Sequence, residues 1–147
     1  MRPIESFDEV APGQEWALGS LVMTEADILR FAGEFDPQPF HLDPAAGRAS
    51  IFGGLIASGL HTQAACFALV IRSGLLAKVS MGGPGMNVTW PAPVYPGDEI
   101  AVSFRIETAR ASQSKPDRGI VQHCIAGTRT RDGVVVLEIH GTMLMKR

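Results

Sequence analysis

The sequence predicts an α+β domain in which one curved antiparallel sheet wraps a single long helix. Three observations predict it. Ala64 to Ile71 is an unbroken apolar run inside a longer helical pattern; from Met86 onward the hydrophobic period changes from helical to two; and the chain, at 147 residues, suits one domain that buries about two thirds of its unfolded surface. Residues 1–147 are therefore expected to form one unit, with no internal repeat or linker.

Residues 13 to 23, GQEWALGSLVM, mix Trp, Leu and Val with polar residues and predict a first strand. Thr24 before Glu25, Ala26 and Asp27 predicts an N-cap with acidic residues in the first turn, and Ile28, Leu29, Phe31 and Ala32 supply the apolar face of a helix that stops by Asp36. Asp43 followed by Pro44 predicts a second cap and a short helix over Ala45 to Ala49, broken by Phe52-Gly53-Gly54.

The central helix is expected to start near Gly59. Leu60, Ala64, Phe67, Ala68, Ile71 and Leu75 form one apolar face, and Ala65, Cys66, Leu69 and Val70 fill much of the remainder, so the helix is expected to be covered nearly all round. Four strands follow: Met86 to Trp90, Glu99 to Glu107, Ile120 to Arg131 and Val134 to Met145. Pro91, Pro93 and Pro96 bend the chain after the first of these, and Asp132-Gly133 predicts a tight turn between the last two.

The stretch that carries chemistry is Asp36-Pro-Gln-Pro-Phe-His41. Each proline fixes its own φ and pushes the residue before it out of the helical region, which predicts a stiff, extended, non-helical loop. Such a loop holds a carboxylate and an imidazole in a defined relation, as acid–base chemistry requires. The alternative is structural: Asp36 ends a helix, His41 satisfies a backbone group and the prolines turn the chain. Asp36, His41 and His61 form no recognised metal-ligand spacing, so no metal is expected there. His123 and His140 fall in strands as structural or surface groups.

Composition narrows the classes. Thirteen basic against fifteen acidic residues give a net charge of −2, and the charges are scattered, so neither a nucleic-acid nor an acidic-membrane partner is expected. Arg129 and Arg131, the nearest thing to a basic cluster, are expected on a solvated hairpin face. Met1 to Val10 lacks the apolar core of a secretory signal, and the apolar run of the central helix is far shorter than a membrane span of about 20 residues. A cytoplasmic location follows as the expectation. Cys66 and Cys124 are expected as two reduced, buried thiols, and nothing beside Cys66 favours a nucleophile.

FDPQPFHLDP, AAGRASIFGGLIASG and WPAPVYPGDEI together resemble the MaoC-like acyl dehydratase family of (R)-specific enoyl-CoA hydratases. Asp36, His41, Asp43, Phe52 and Gly59 stand in the order and at the spacing of its hydratase signature, and Trp90, Pro93, Val94, Gly97 and Asp98 match a further motif. The resemblance implies a hot-dog fold, a homodimer or dimer of dimers, and reversible hydration of a trans-2-enoyl thioester carried by CoA or acyl-carrier protein. It implies no cofactor besides the CoA of the substrate. Asp36 and His41 would jointly activate water, and the Gly59 N–H would stabilise the thioester oxygen. Gln38, Phe52, Ser58, His61, Thr62 and Phe67 are the accompanying candidates for the substrate pocket. Gln38 stands where the family usually has Asn, Ser58 where its hydratases often have His, and Phe67 where some members have Ser. The same fold also supports thioester hydrolysis, or acyl-thioester binding without turnover.

Overall fold

Local side-chain chemistry sets the helix boundaries in the computed structural model, which describes residues 1–147. After a strand β1 (Glu15–Val22), the Thr24 hydroxyl accepts from the Asp27 N–H and opens helix α1 (Glu25–Phe35). The Asp43 carboxylate accepts from the Ala45 N–H and opens α3 (Pro44–Ala49). Between them the expectation of a wholly extended loop fails, because Pro39–Leu42 form one helical turn, α2. Proline is barred from helix interiors but not from the first position, and Pro39 stands there; the restriction it imposes falls on Gln38, which is extended at φ −79° and ψ 141°.

The central helix α4 (Gly59–Arg72) is capped by Ser58, whose hydroxyl accepts from the Leu60 N–H. Four strands follow it, β2 (Gly85–Thr89), β3 (Glu99–Ala111), β4 (Arg118–Arg129) and β5 (Val135–Lys146), and every paired neighbour is antiparallel. The sheet order is β1-β3-β4-β5-β2, the hot-dog layout with α4 laid across it. Gly133, at φ +71°, makes the β4–β5 turn that Asp132-Gly133 predicts.

Alternation in β3 and β4 points Ile100, Val102, Phe104, Ile106, Val121 and Ile125 toward the helix, where they join Cys66 and Val70 in one buried cluster. Cys66 packs over Gly127, and both cysteines are free and buried. Burial pushes the Cys66 thiol up to about 12, which removes it as a nucleophile.

Two expectations need correction. The α4 helix is covered on one side only: Leu60, Phe67 and Ile71 are 49%, 39% and 53% exposed, because the short edge strand β2 leaves its outer flank open. Arg129 is not on a solvated face. The alternation that carries Ile125 and Gly127 inward carries Arg129 inward too, where it bonds Asp98, Asp132 and the Pro93 carbonyl. Arg131, more than half exposed, closes on the other Asp98 oxygen at 3.0 Å. No helix is long and apolar enough to cross a membrane.

Candidate active site

Asp36 ends α1, and the helical turn α2 brings His41 back to it: His41 Nε2 lies 3.4 Å from Asp36 Oδ2. The imidazole is buried, and its Nδ1 is 2.8 Å from the Ile56 carbonyl oxygen. A carbonyl only accepts, so Nδ1 carries a proton, and in the neutral ring Nε2 is the bare nitrogen turned toward the carboxylate. The Phe40 ring meets the imidazole edge-on at 4.6 Å and limits its rotation.

The carboxylate is held on both oxygens. Gln38 Nε2 donates to Oδ1 at 2.8 Å, and Ser58 Oγ donates to Oδ2 at 2.6 Å. These donors stabilise the anion, Ser58 most strongly, then Gln38, and against the opposing pull of burial they hold the carboxyl below the usual carboxylate range. The pair therefore presents an ionised acceptor 3.4 Å from a ring nitrogen whose companion nitrogen is committed to the Ile56 carbonyl.

His41, Phe52, Gly59, Thr62, Trp90 and Val94 line a hollow of about 380 Å³ beside this pair. Gly59 is the first residue of α4, and its N–H has no acceptor within the chain, as helix geometry dictates for a first-turn donor. The need for glycine here has a cause within the chain. A Cβ on Gly59 would come within 2.7 Å of the Trp90 indole, which donates from Nε1 to the Gly59 carbonyl at 2.8 Å. The opposite wall is tied down by Ala57 N–H to the Val94 carbonyl and by Tyr95 Oη to the Phe52 carbonyl, at 2.8 and 2.7 Å.

Of the residues singled out in the sequence, Asp36, Gln38 and Ser58 converge in one hydrogen-bonded group with His41 3.4 Å from its carboxylate, and Phe52, Gly59 and Thr62 join His41 in lining the hollow. Two stand elsewhere. His61 turns toward α1 and stacks on Phe31 at 4.7 Å with its Nδ1 unpartnered, and burial pushes its pKa down. Phe67 borders a separate apolar cavity of about 110 Å³ with Val70 and His123. The Ile56 carbonyl and the Trp90 and Tyr95 side chains complete the site; the sequence signal for the last two is the proline-rich WPAPVYP run, which those side chains anchor to the hollow.

Residues 8–123 match the sequence model of the MaoC like domain. The chain is 37% identical over 142 residues to the uncharacterized protein YdeM of Bacillus subtilis (strain 168), covering 96% of this chain and 99% of that one. The crystal structure of the MaoC-like dehydratase from Rhodospirillum rubrum superposes with a TM-score of 0.90 at 40% identity over 97% of each chain. The (R)-hydratase from A. caviae involved in PHA biosynthesis superposes with a TM-score of 0.69 at 25% identity, over 93% of this chain and 96% of that one. The matched region contains Asp36, His41, Gly59 and the loop behind them, and on that ground the chain belongs to the MaoC-like family of hydratases and dehydratases.

Proposed function

We propose that this protein catalyses reversible addition of water to a trans-2-enoyl thioester, carried by CoA or an acyl-carrier protein, to give an (R)-3-hydroxyacyl thioester. The observation that carries the reading is the 3.4 Å approach of His41 Nε2 to Asp36 Oδ2, with His41 Nδ1 committed to the Ile56 carbonyl. Two acceptors that face each other need a shared donor. A substrate water that gives one hydrogen to each meets that need and keeps a lone pair for attack on Cβ.

As the C–O bond forms, one water proton passes to the Asp36/His41 pair, electron density moves through Cα to the thioester oxygen, and the pair returns a proton to Cα. The oxygen's growing charge is matched by the unpaired Gly59 N–H and the positive end of α4. The thioester supplies its own activation, so the reading calls for no cofactor beyond the carrier. A homodimer fits the same reading, since Leu60, Phe67, Ile71 and Met86 form an exposed apolar flank beside the β2 edge, and a second copy laid there would cover both.

The test is a spectroscopic assay following loss of enoyl-thioester absorbance, with product analysis, across short, long and branched trans-2-enoyl-CoA substrates. The expected product is the (R)-3-hydroxyacyl-CoA. Free CoA without hydration would make the protein a thioesterase, and saturable binding without any product would make it a binding module.

A further inference from the structure

Glu107, Cys124 and His140 meet on the sheet face turned away from α4, where the proposed reaction has no use for them. Their meeting is a matter of register. Cys124 on β4 stands directly opposite His140 on β5, and the alternation that sends His123 and Ile125 toward the helix sends Cys124 the other way. Glu107 arrives by a bulge: Ile106 pairs with His123 and Thr108 with Gln122, so Glu107 has no cross-strand partner, and bulges of this kind re-aim a side chain. Its carboxylate oxygens lie 3.0 and 3.2 Å from His140 Nδ1, and Cys124 Sγ lies 4.0 Å from His140 Nε2.

One donor atom from each of the three residues lies within 4.8 Å of the other two. A tetrahedral zinc ion with bonds of about 2.3 Å to sulfur and about 2.0 Å to nitrogen and oxygen sets its ligand atoms about 3.5 Å apart. Closing that gap takes side-chain rotation in His140 and Glu107, both of which keep access to solvent, while Cys124 stays fixed in its strand. The donor set is mixed sulfur, nitrogen and oxygen, which suits borderline-soft ions and not magnesium or calcium. A polar hollow of about 270 Å³, bordered by Gln122 and Thr142 as well as Glu107 and His140, faces the cluster and leaves room for a fourth ligand. Arg105, 3.7 Å from the Glu107 carboxylate, is the cation a metal must displace.

We propose that Glu107, Cys124 and His140 form a site for a thiophilic divalent transition metal of the zinc type, with one coordination position open to the polar hollow. On binding, the Cys124 S–H bond breaks, its proton goes to solvent and the sulfur electron pair forms the metal–thiolate bond; no oxidation state changes. The site joins three neighbouring strands, so occupancy stabilises the sheet, and it is independent of the proposed hydration.

The test is titration of the metal-free full-length protein with Co²⁺ under a non-thiol reductant. The expected result is one equivalent bound, with a thiolate-to-cobalt charge-transfer band in the near ultraviolet that Zn²⁺ abolishes by displacement. Cys124→Ser is expected to lose the band, His140→Gln to weaken binding at least tenfold, and Zn²⁺ to raise the Tm of the wild type but not of His140→Gln. Circular dichroism checks that each variant folds, and the exposed His140 position decides the matter where Cys124→Ser does not fold. A band that survives in folded Cys124→Ser, unchanged Co²⁺ affinity in His140→Gln, or absence of the band at millimolar Co²⁺ overturns the proposal.

Discussion

The Ser58 hydroxyl does two things at once: it accepts from the Leu60 N–H as the cap of α4 and donates to Asp36 Oδ2 at 2.6 Å. The oxygen that starts the central helix thereby also sets the charge of the candidate catalytic carboxylate. Ser58→Ala should cost about 1 kcal/mol of stability through the lost cap, a drop in Tm of about 3 °C. It should also move the acidic limb of the pH–kcat/KM profile upward. The sign follows from the donor's role: Ser58 stabilises the ionised carboxyl, so without it the proton binds at higher pH. An acidic limb that stays in place would detach Ser58 from the titration of Asp36.

The same depressed carboxyl has a consequence for stability. Its contribution is fully present above the ordinary carboxylate range and fades as pH falls through the folded value. Asp36→Asn should therefore flatten the acid side of the Tm–pH curve relative to the wild type, and parallel curves would count against this.

Asp36→Asn and His41→Ala should each lower kcat by about 10²- to 10⁴-fold in the enoyl-thioester assay, the range expected for loss of a positioned acid or base. Because the two face each other across 3.4 Å and act as one unit, the double variant should be scarcely worse than the poorer single one. Multiplicative losses in steady-state kinetics would show two independent roles.

Gly59 is where the indole of Trp90 rests. Gly59→Ala would set its Cβ 2.7 Å from that ring, and the clash should displace the ring and break its hydrogen bond to the Gly59 carbonyl, at a cost of about 1 kcal/mol. Trp90 is 45% exposed and can swing outward, so the fold survives while the mouth of the hollow changes shape. In a Trp90→Leu background the added methyl should cost little stability. A double-mutant cycle by denaturant unfolding measures the coupling, and zero coupling would falsify the contact as the reason for glycine.

Asp98 is buried between Arg129 and Arg131, and Arg129 in turn bonds the carbonyl of Pro93 in the wall of the hollow. Arg129→Ala should cost about 3 kcal/mol, the low end for breaking a buried ion pair because Asp98 keeps Arg131, and should lower Tm by several degrees. Activity should fall as well, since the Pro93–Val94 wall loses its anchor. Calorimetry beside the enoyl assay separates the two effects; full activity at unchanged KM would show that the wall holds without Arg129.

Ile71→Glu places a charge on the exposed flank of α4, and Met86→Glu does so on the β2 edge. Each should shift sedimentation from dimer toward monomer while leaving the far-ultraviolet circular dichroism unchanged. A wild type that sediments as a monomer at high micromolar concentration would remove the dimer from the proposal.

What could be read in the sequence was whatever local chemistry imposes. Caps at Thr24 and Asp43 and the turn at Asp132-Gly133 act within a few residues, and alternation in β3 to β5 is a local period; these placed the elements within a residue or two, save that β3 runs on to Ala111 and α4 stops at Arg72, short of Leu75. The spacing of Asp36, His41 and Gly59 was equally visible. The tertiary structure decided what depends on residues far apart in the chain: Nδ1 of His41 finding the carbonyl of Ile56, Ser58 reaching back to Asp36, and Trp90 claiming the space over Gly59. It also decided that Pro39 begins a turn of helix and that Phe67 and His61 face away from the hollow. The physical reason is that a residue's type states which bonds it can make, whereas its partner is chosen by the packing of α1, α2 and the WPAPVYP loop around the start of α4, a competition among distant contacts that no local pattern encodes.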